Sequence, residues 1–147
     1  MKLRRILHAS DFSRASRAAL AEAIAMAKAD RAELILAHVV SFPTALLGEG
    51  YISPKIYDDL IRSTRADAQK QLDKLVAKAK ARGARTRSLL LEGVTADAIN
   101  RAARSKRADV IVIGTHGRTG LTRLLMGSVA ERVVGGAPCP VLTVRGR

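Results

Sequence analysis

The segment from residue 109 to residue 134 limits the fold of this chain more than any other. It begins with the β-branched run Asp109-Val-Ile-Val-Ile113, continues with Gly114-Thr115-His116-Gly117, nine further residues and Gly127-Ser128, and ends with apolar positions at helical spacing. This order predicts a strand, a glycine-rich loop and a helix. Glycine lets backbone N–H groups approach an anion, and the following helix points its unpaired N–H groups at the same place. The segment therefore predicts a phosphate-binding loop.

The rest of the chain alternates between strand and helix patterns. Strands are predicted at residues 6–9, 34–40, 85–91, 110–113 and 141–144, and helices at 14–28, 55–82, 95–105 and 128–135. Strands that are joined by helices must run parallel, with right-handed crossovers. The pattern predicts an α/β fold in one domain over residues 1–147: a single doubly wound, five-stranded parallel sheet of Rossmann-like type, with helices on both faces. The long connection at 41–54 is typical of a lid or binding segment.

The expected ligand site follows from this topology. Ligands of doubly wound sheets lie at the carboxyl ends of the strands, where the strand order reverses. Asp11 follows the first predicted strand, and the glycine loop follows the fourth. If these two strands are neighbours, Asp11 and the loop face one pocket.

Composition excludes several classes of protein. The chain is 48% hydrophobic, which is too apolar for a disordered protein, yet no apolar run approaches the ~20 residues of a membrane span. The basic N-terminus lacks the apolar core of a secretory signal because His8 and Asp11 interrupt it. Cys139 is the single cysteine, which excludes a disulfide framework or a thiolate metal site and favours the cytoplasm. We expect Cys139 and His38 to be core residues.

The glycine loop matches neither common nucleotide fingerprint. No Gly-Lys-Ser/Thr occurs, and the glycines at 114, 117 and 120 are three apart, without a Gly-x-Gly. The alternative is that these glycines only make a tight connection between strand and helix. Ser128 has its own alternative, because Ser128-Val-Ala-Glu131 is also a capping box.

The whole chain nevertheless resembles the nucleotide-binding branch of the universal stress protein family. Gly114, Gly117, Gly127 and Ser128 match that family's Gly-x-x-Gly, nine residues, Gly-Ser/Thr pattern, and Ile6-Leu-His-Ala-Ser-Asp11 is similar to its first strand. The resemblance implies an adenine nucleotide α-hydrolase-like fold and an ATP site, with ADP or AMP as other candidate ligands and Mg²⁺ bound through the phosphates. It also implies a homodimer formed through the last strand.

The resemblance assigns roles to individual residues. Gly114, Gly117 and Gly127 would wrap the phosphates, and Ser128 would donate to a phosphate oxygen. Asp11 would accept from the ribose hydroxyls, Val39 would line the adenine pocket, and Ala9 and Val129 are further candidate cofactor-binding residues. From their position inside the loop, His116 and Arg118 are also candidates to contact a phosphate. The alternative role for Asp11 is a helix cap. The alternative for Arg118 and Arg123 is that each is only a solvated charge in the loop.

Two other functions are open at this level. Almost all of the net charge of +13 lies after residue 60, and Lys70, Lys74, Lys78 and Arg82 repeat along one helix face, so nonspecific binding to nucleic acid is an alternative. A slow ATPase is the other alternative, although we identify no Walker lysine and no general base. We therefore expect a holder of ATP in stress signalling, with little or no catalysis.

Overall fold

The computed structural model describes residues 1–42, 52–116 and 126–146. Its strands are β1 (Arg5–Ala9), β2 (Glu33–Val40), β3 (Arg85–Glu92), β4 (Val110–Gly114) and β5 (Val141–Val144). Its helices are α1 (Arg14–Asp30), α2 (Pro54–Ala81), α3 (Thr95–Ser105) and α4 (Ser128–Gly136). Each element predicted from the sequence is present, and its ends differ from the prediction by at most a residue or two.

The five strands form one parallel sheet in the order β3-β2-β1-β4-β5. Ile6 in the central strand β1 lies beside Leu34 of β2 on one side and Val110 of β4 on the other. The chain moves outward through β2 and β3, then returns to the opposite side of β1 for β4 and β5. The strand order therefore reverses between β1 and β4, which confirms the doubly wound α/β architecture.

Helices cover both faces of the sheet. One face packs under α1 and α2 through the alternate strand residues Ile6, Leu34, Leu36, Val110 and Val112. The other face packs under α3 and α4 through Leu7, Ile35, Ala37, Ile111 and Ile113. Successive residues of a strand point to opposite faces, so two covered faces explain why these strands are continuously apolar.

The helix ends follow from local chemistry. Helix α1 begins after Ser13, whose hydroxyl accepts from the N–H of Ser16 at 3.2 Å. Helix α2 begins after Ser53, with Pro54 at its first position, where a missing N–H costs nothing. Gly83, at φ +90°, follows the C-terminus of α2 in the left-handed conformation that glycine adopts most readily.

Across residues 1–42, 52–116 and 126–146, no helix combines the length and the apolar character that a membrane crossing requires.

Candidate functional site

A cavity of about 620 Å³ opens at the carboxyl ends of β1, β2 and β4. Its walls come from residues 9–12 after β1, 37–41 at the end of β2, 113–116 at the end of β4 and 127–130 at the start of α4, with side chains of α2 and α3 completing it. The cavity lies where the strand order reverses, and its volume falls in the range of small-molecule sites.

Most of the predicted site residues share this cavity. Those among its lining residues are Ala9, Asp11, Val39, Gly114, His116, Gly127, Ser128 and Val129. Gly117, Arg118 and Arg123 lie outside the described residues, as does most of the connection at 41–54. The fold thus brings Asp11 and both ends of the glycine segment to one place, and the role of each residue toward a ligand stays a prediction.

Asp11 fixes the turn between β1 and α1. Its Oδ1 accepts from the N–H of Ser13 at 2.9 Å. The N-terminal cap of α1 is Ser13 itself, so the alternative prediction that Asp11 caps this helix is wrong. Asp11 holds the entry to the helix in position and still lines the cavity.

The start of α4 presents backbone donors to the cavity. Gly127 is the N-cap, and in the part of the chain that the structure describes no side-chain hydrogen bond caps this helix. Ser128 is the first helical residue, so its predicted capping box with Glu131 is wrong. The reason is that a capping serine must stand one position before the helix, where Gly127 stands. The first N–H groups of a helix lack partners within the helix, and the residues at the start of α4 line the cavity, so the positive end of the helix dipole lies at the cavity wall.

Gly114 is constrained by packing. A Cβ placed on it would lie 3.0 Å from the carbonyl carbon and the oxygen of Ala15 in α1. Such contacts are tighter than most side-chain carbons make, so the Ala15 backbone would have to move by a few tenths of an ångström. Gly114 therefore has a packing role against α1, which differs from the predicted role in a tight connection between strand and helix.

His116 carries a buried polar atom without a partner. Its Nδ1 lies 2.8 Å from the hydroxyl of Thr115, while its Nε2 is buried and has no hydrogen-bond partner among the described residues. Buried nitrogen atoms of this kind are nearly always paired in folded proteins. Because His116 lines the cavity, a bound ligand would supply the missing partner.

One wall of the cavity was not identified from the sequence. Ser10 accepts from the N–H of Phe12 at 3.1 Å and from the hydroxyl of Ser16 at 2.9 Å, and its carbonyl accepts from Nδ1 of His38 at 2.7 Å. The ring of Phe12 lies 4.4 Å from that of His38, centroid to centroid. His38, expected to be a core residue, is half-buried in the cavity wall. Phe12 has φ +64°, and no sequence pattern signals a left-handed phenylalanine.

The described part of the cavity wall is electrostatically unusual for this chain. It contains the carboxylates of Asp11 and Asp67 and no lysine or arginine, although the whole chain carries +13. Among the described side chains, no group of three or more His, Cys, Asp or Glu converges as a metal site would require.

Burial shifts the pKa values of two other titratable groups. His8, in β1, is fully buried, which lowers its pKa from 6.5 to about 4, although Nδ1 donates to the carbonyl of Val112 at 3.0 Å. Cys139 packs against the α3 and α4 side of the core, and partial burial raises the pKa of its thiol. The expectation that Cys139 acts as a small hydrophobe agrees with this environment.

Comparison with known proteins gives one consistent result. A model of the universal stress protein family matches residues 2–145. Universal stress protein MJ0531 of Methanocaldococcus jannaschii is 39% identical over 144 residues, which cover 97% of this chain and 82% of that protein. The solved structure of protein MJ0577 from the same organism superposes with a TM-score of 0.86 at 25% identity, covering 100% of this chain and 99% of that one. A universal stress protein solved in complex with cAMP gives a TM-score of 0.74 at 26% identity, with 100% of both chains covered.

Proposed function

Because the chain belongs to the universal stress protein family, we propose that its cavity binds an adenine nucleotide, with ATP as the preferred ligand and ADP and AMP as weaker ones. The observation that carries this proposal is that one cavity holds both Asp11 and the uncapped N-terminus of α4. A family relative in complex with cAMP supports an adenine nucleotide as the ligand class.

The phosphates would lie at the start of α4. The first N–H groups of that helix and its dipole favour an anion there, as helix N-termini commonly do. The hydroxyl of Ser128 caps nothing and is exposed, so it remains available to donate to a phosphate oxygen. Nε2 of His116 would meet the phosphates from the end of β4. Gly117 and Arg118 complete the site only as predictions from the sequence.

The nucleoside would lie across the ends of β1 and β2. Asp11, already fixed by Ser13, would accept from the ribose hydroxyls. The side chain of Val39 is only 7% exposed, so we expect its backbone to contact the adenine edge. Val129, at 38% exposure, offers an apolar cover beside Ser128.

Mg²⁺ would enter with the nucleotide. This ion commonly binds through substrate phosphates and a few waters, with only one or two carboxylates from the protein. Because phosphates and waters would supply most of the ligands, Asp11 stays assigned to the ribose, and Asp67 is the other carboxylate of the described cavity wall. The ion would neutralise phosphate charge that no lysine or arginine of the described wall neutralises.

We propose that the bound nucleotide acts as a signal, with little or no hydrolysis. Phosphoryl transfer needs charge stabilisation at the γ-phosphate and a group that orients the attacking water. Asp11 is assigned to the ribose, away from that position. The slow ATPase is the second candidate, and turnover well above background with Mg²⁺ present would establish it instead.

Calorimetric titration with ATP tests the site. Ser128→Ala should weaken binding by about ten- to a hundredfold, because a hydrogen bond to a charged oxygen contributes about 1.5–3 kcal/mol. Ser105→Ala is the matched control, since the Ser105 hydroxyl bonds only the carbonyl of Ala102 at the other end of the sheet. Equal affinities for wild type and Ser128→Ala would remove the Ser128 hydroxyl from the proposed phosphate contacts.

A further inference from the structure

The amino edge of the sheet, opposite the cavity, collects much of the positive charge. Four connections meet there because all four helices end at this edge and β2, β3, β4 and β5 all begin there. The connections that follow α1, α2 and α3 contribute two cationic residues each, and together they form what we call the basic edge: Lys28, Arg31, Arg82, Arg85, Lys106 and Arg107. All are exposed except Lys106, which is half-buried.

The acidic residues of the same region are occupied by structural contacts. Asp30 accepts from the N–H of Leu3 at 2.8 Å. Asp109 accepts from the N–H groups of Arg4 and Arg5 at 2.7 and 2.8 Å.

Glu33 lies beside Arg87 at 2.9 Å and beside Arg5 at 3.8 Å. In the described part of the chain, no ion pair involves a residue of the basic edge. The charge of the basic edge is therefore not neutralised by the protein.

Part of the basic edge forms a hollow. A shallow depression of about 360 Å³ lies between the end of α1 and the start of β3, and Lys28, Arg31 and Arg85 line it together with Gly83. Three cations without acidic partners thus converge on a space that can admit phosphate groups. Like charges gathered in one place repel each other, so an anionic ligand there would relieve the repulsion.

Two arginines of the basic edge have a backbone conformation that glycine adopts most readily. Arg31 has φ +56° after α1, and Arg107 has φ +53° after α3. The corresponding residue after α2 is Gly83, at φ +90°. The helix dipole does not require these arginines, because Lys28 and Arg104 already place cations in the last turns. The chain therefore keeps positive charge at two positions where glycine would be the more stable choice.

We infer that the basic edge binds the phosphate backbone of double-stranded nucleic acid. The edge runs across β3, β2, β1 and β4, which at a strand spacing of about 4.8 Å spans roughly 15 Å. A duplex presents about one negative charge per 1.7 Å of its axis, so it matches a continuous row of cations.

A duplex fits this edge better than a single strand or a membrane does. The described aromatic residues Phe12, Phe42 and Tyr57 all lie away from the edge, which leaves nothing there for unpaired bases to stack on. Among the described residues, the exposed large hydrophobic residues on this side of the sheet are Met1, before β1, and Val134, in the last turn of α4. They are too far apart in the fold and too few for insertion into a bilayer. Binding should therefore depend on charge, with no preference for sequence.

The structure also changes which residues carry this interaction. The row of lysines and arginines seen in the sequence begins with Lys70 and Lys74. These two residues share α2 with Asp67 and Asp73, and they lie away from the amino edge. Arg82 lies on the basic edge, and Lys78 stands one turn before it. The row as a whole is therefore not the binding surface.

Fluorescence anisotropy with a labelled 20-base-pair duplex tests the inference over a series of salt concentrations. Replacing Arg31 and Arg107 together by glycine should weaken binding about tenfold and reduce the slope of log K against log salt by nearly two, about 0.9 for each lost phosphate contact. The same double variant should be as stable as wild type or more stable toward urea, because glycine relieves both left-handed positions. Weaker binding with undiminished stability is a combination that damage to the fold cannot produce.

The matched control removes the same charge elsewhere. The double variant of Lys70→Gln and Lys74→Gln should keep the wild-type slope. An equal loss in the control would overturn the inference, since net charge alone would then explain binding. The inference would also be overturned if wild-type protein failed to bind the duplex at 50 mM salt, or if it bound phosphatidylserine vesicles more tightly than the duplex. Titration with ATP separates this edge from the cavity, because the Arg31 and Arg107 variant should keep its ATP affinity.

Discussion

Gly114, the last residue of β4, lies against the backbone of Ala15 at the start of α1, so that a Cβ on Gly114 would stand 3.0 Å from the Ala15 carbonyl carbon and oxygen. This close approach joins the end of β4 to the start of α1, and both segments border the cavity. A glycine that the sequence assigns to a phosphate loop is therefore also required by the packing of the sheet against its helix.

Gly114→Ala should destabilise the protein. The atoms that the new methyl group meets belong to the backbone, which cannot rotate away, so the strain of overpacking applies, typically about 1–3 kcal/mol. Urea unfolding measures the loss. Gly135→Ala is the control, because nothing lies within 4 Å of a Cβ there and the residue is in α4, where alanine is the better helix former. A Gly114 variant as stable as the Gly135 variant would contradict the packing role.

Stability should fall as the solution is made acidic, because of His8. Burial lowers its pKa to about 4 in the folded state, while the unfolded chain titrates near 6.5. Between those two values the unfolded state binds more protons, so stability is lost as pH falls through this window and is unaffected above it. The expected loss by pH 4 is about 3 kcal/mol in the free energy of unfolding.

His8→Gln removes this titration and keeps a donor for the Val112 carbonyl. Its unfolding free energy should change much less than that of wild type between pH 7 and pH 4.5. Asp109 does not interfere in this window. Its carboxylate pKa is lowered by the N–H groups of Arg5 and Arg4, so its contribution is lost only below its usual value of 3.8. Identical pH profiles for the two proteins would show that His8 is not the responsible group.

The edge strand β5 offers a test of the proposed homodimer. Within the described sheet, β5 pairs with β4 alone, and Leu142 on it is 38% exposed. Unpaired edges invite pairing with a second copy of the chain. We expect wild type to sediment as a dimer and Leu142→Lys to shift it toward monomer. Val94→Lys, at an exposed apolar site between β3 and α3, should leave the dimer unchanged. A wild-type monomer, or an unaffected Leu142 variant, would remove β5 from the interface.

The sequence predicted every described element and their arrangement, because helical and strand periodicity differ clearly in this chain. It also brought Asp11 and Ser128 to one cavity, since the carboxyl ends of neighbouring parallel strands must meet. It missed the wall formed by Ser10, Phe12 and His38, which depends on a left-handed residue that no local pattern encodes. It also offered a helix cap as the alternative role of Ser128, because a capping box looks the same in sequence whether its serine stands at the cap or inside the helix.

The basic surface shows a different limit of sequence reasoning. Spacing along α2 suggested a row beginning at Lys70, because residues four apart share a helix face. The residues that gather at the amino edge, such as Arg31 and Arg107, are far apart in the chain. They meet only through the order of the strands, which tertiary structure alone determines.

An NMR titration of ¹⁵N-labelled protein with Mg²⁺ and ATP tests the central claim most directly, because it locates the nucleotide and does not only detect it. Because the chain carries a net charge of +13, ATP could also bind at the basic edge, and a measured ATP affinity alone would not show that the cavity is the site. We predict saturable shifts that are largest at the backbone amides of Ser128, Val129 and Val40, with Arg31 and Arg85 nearly unmoved. Shifts concentrated at Arg31 and Arg85, with Ser128 unmoved, would contradict the account.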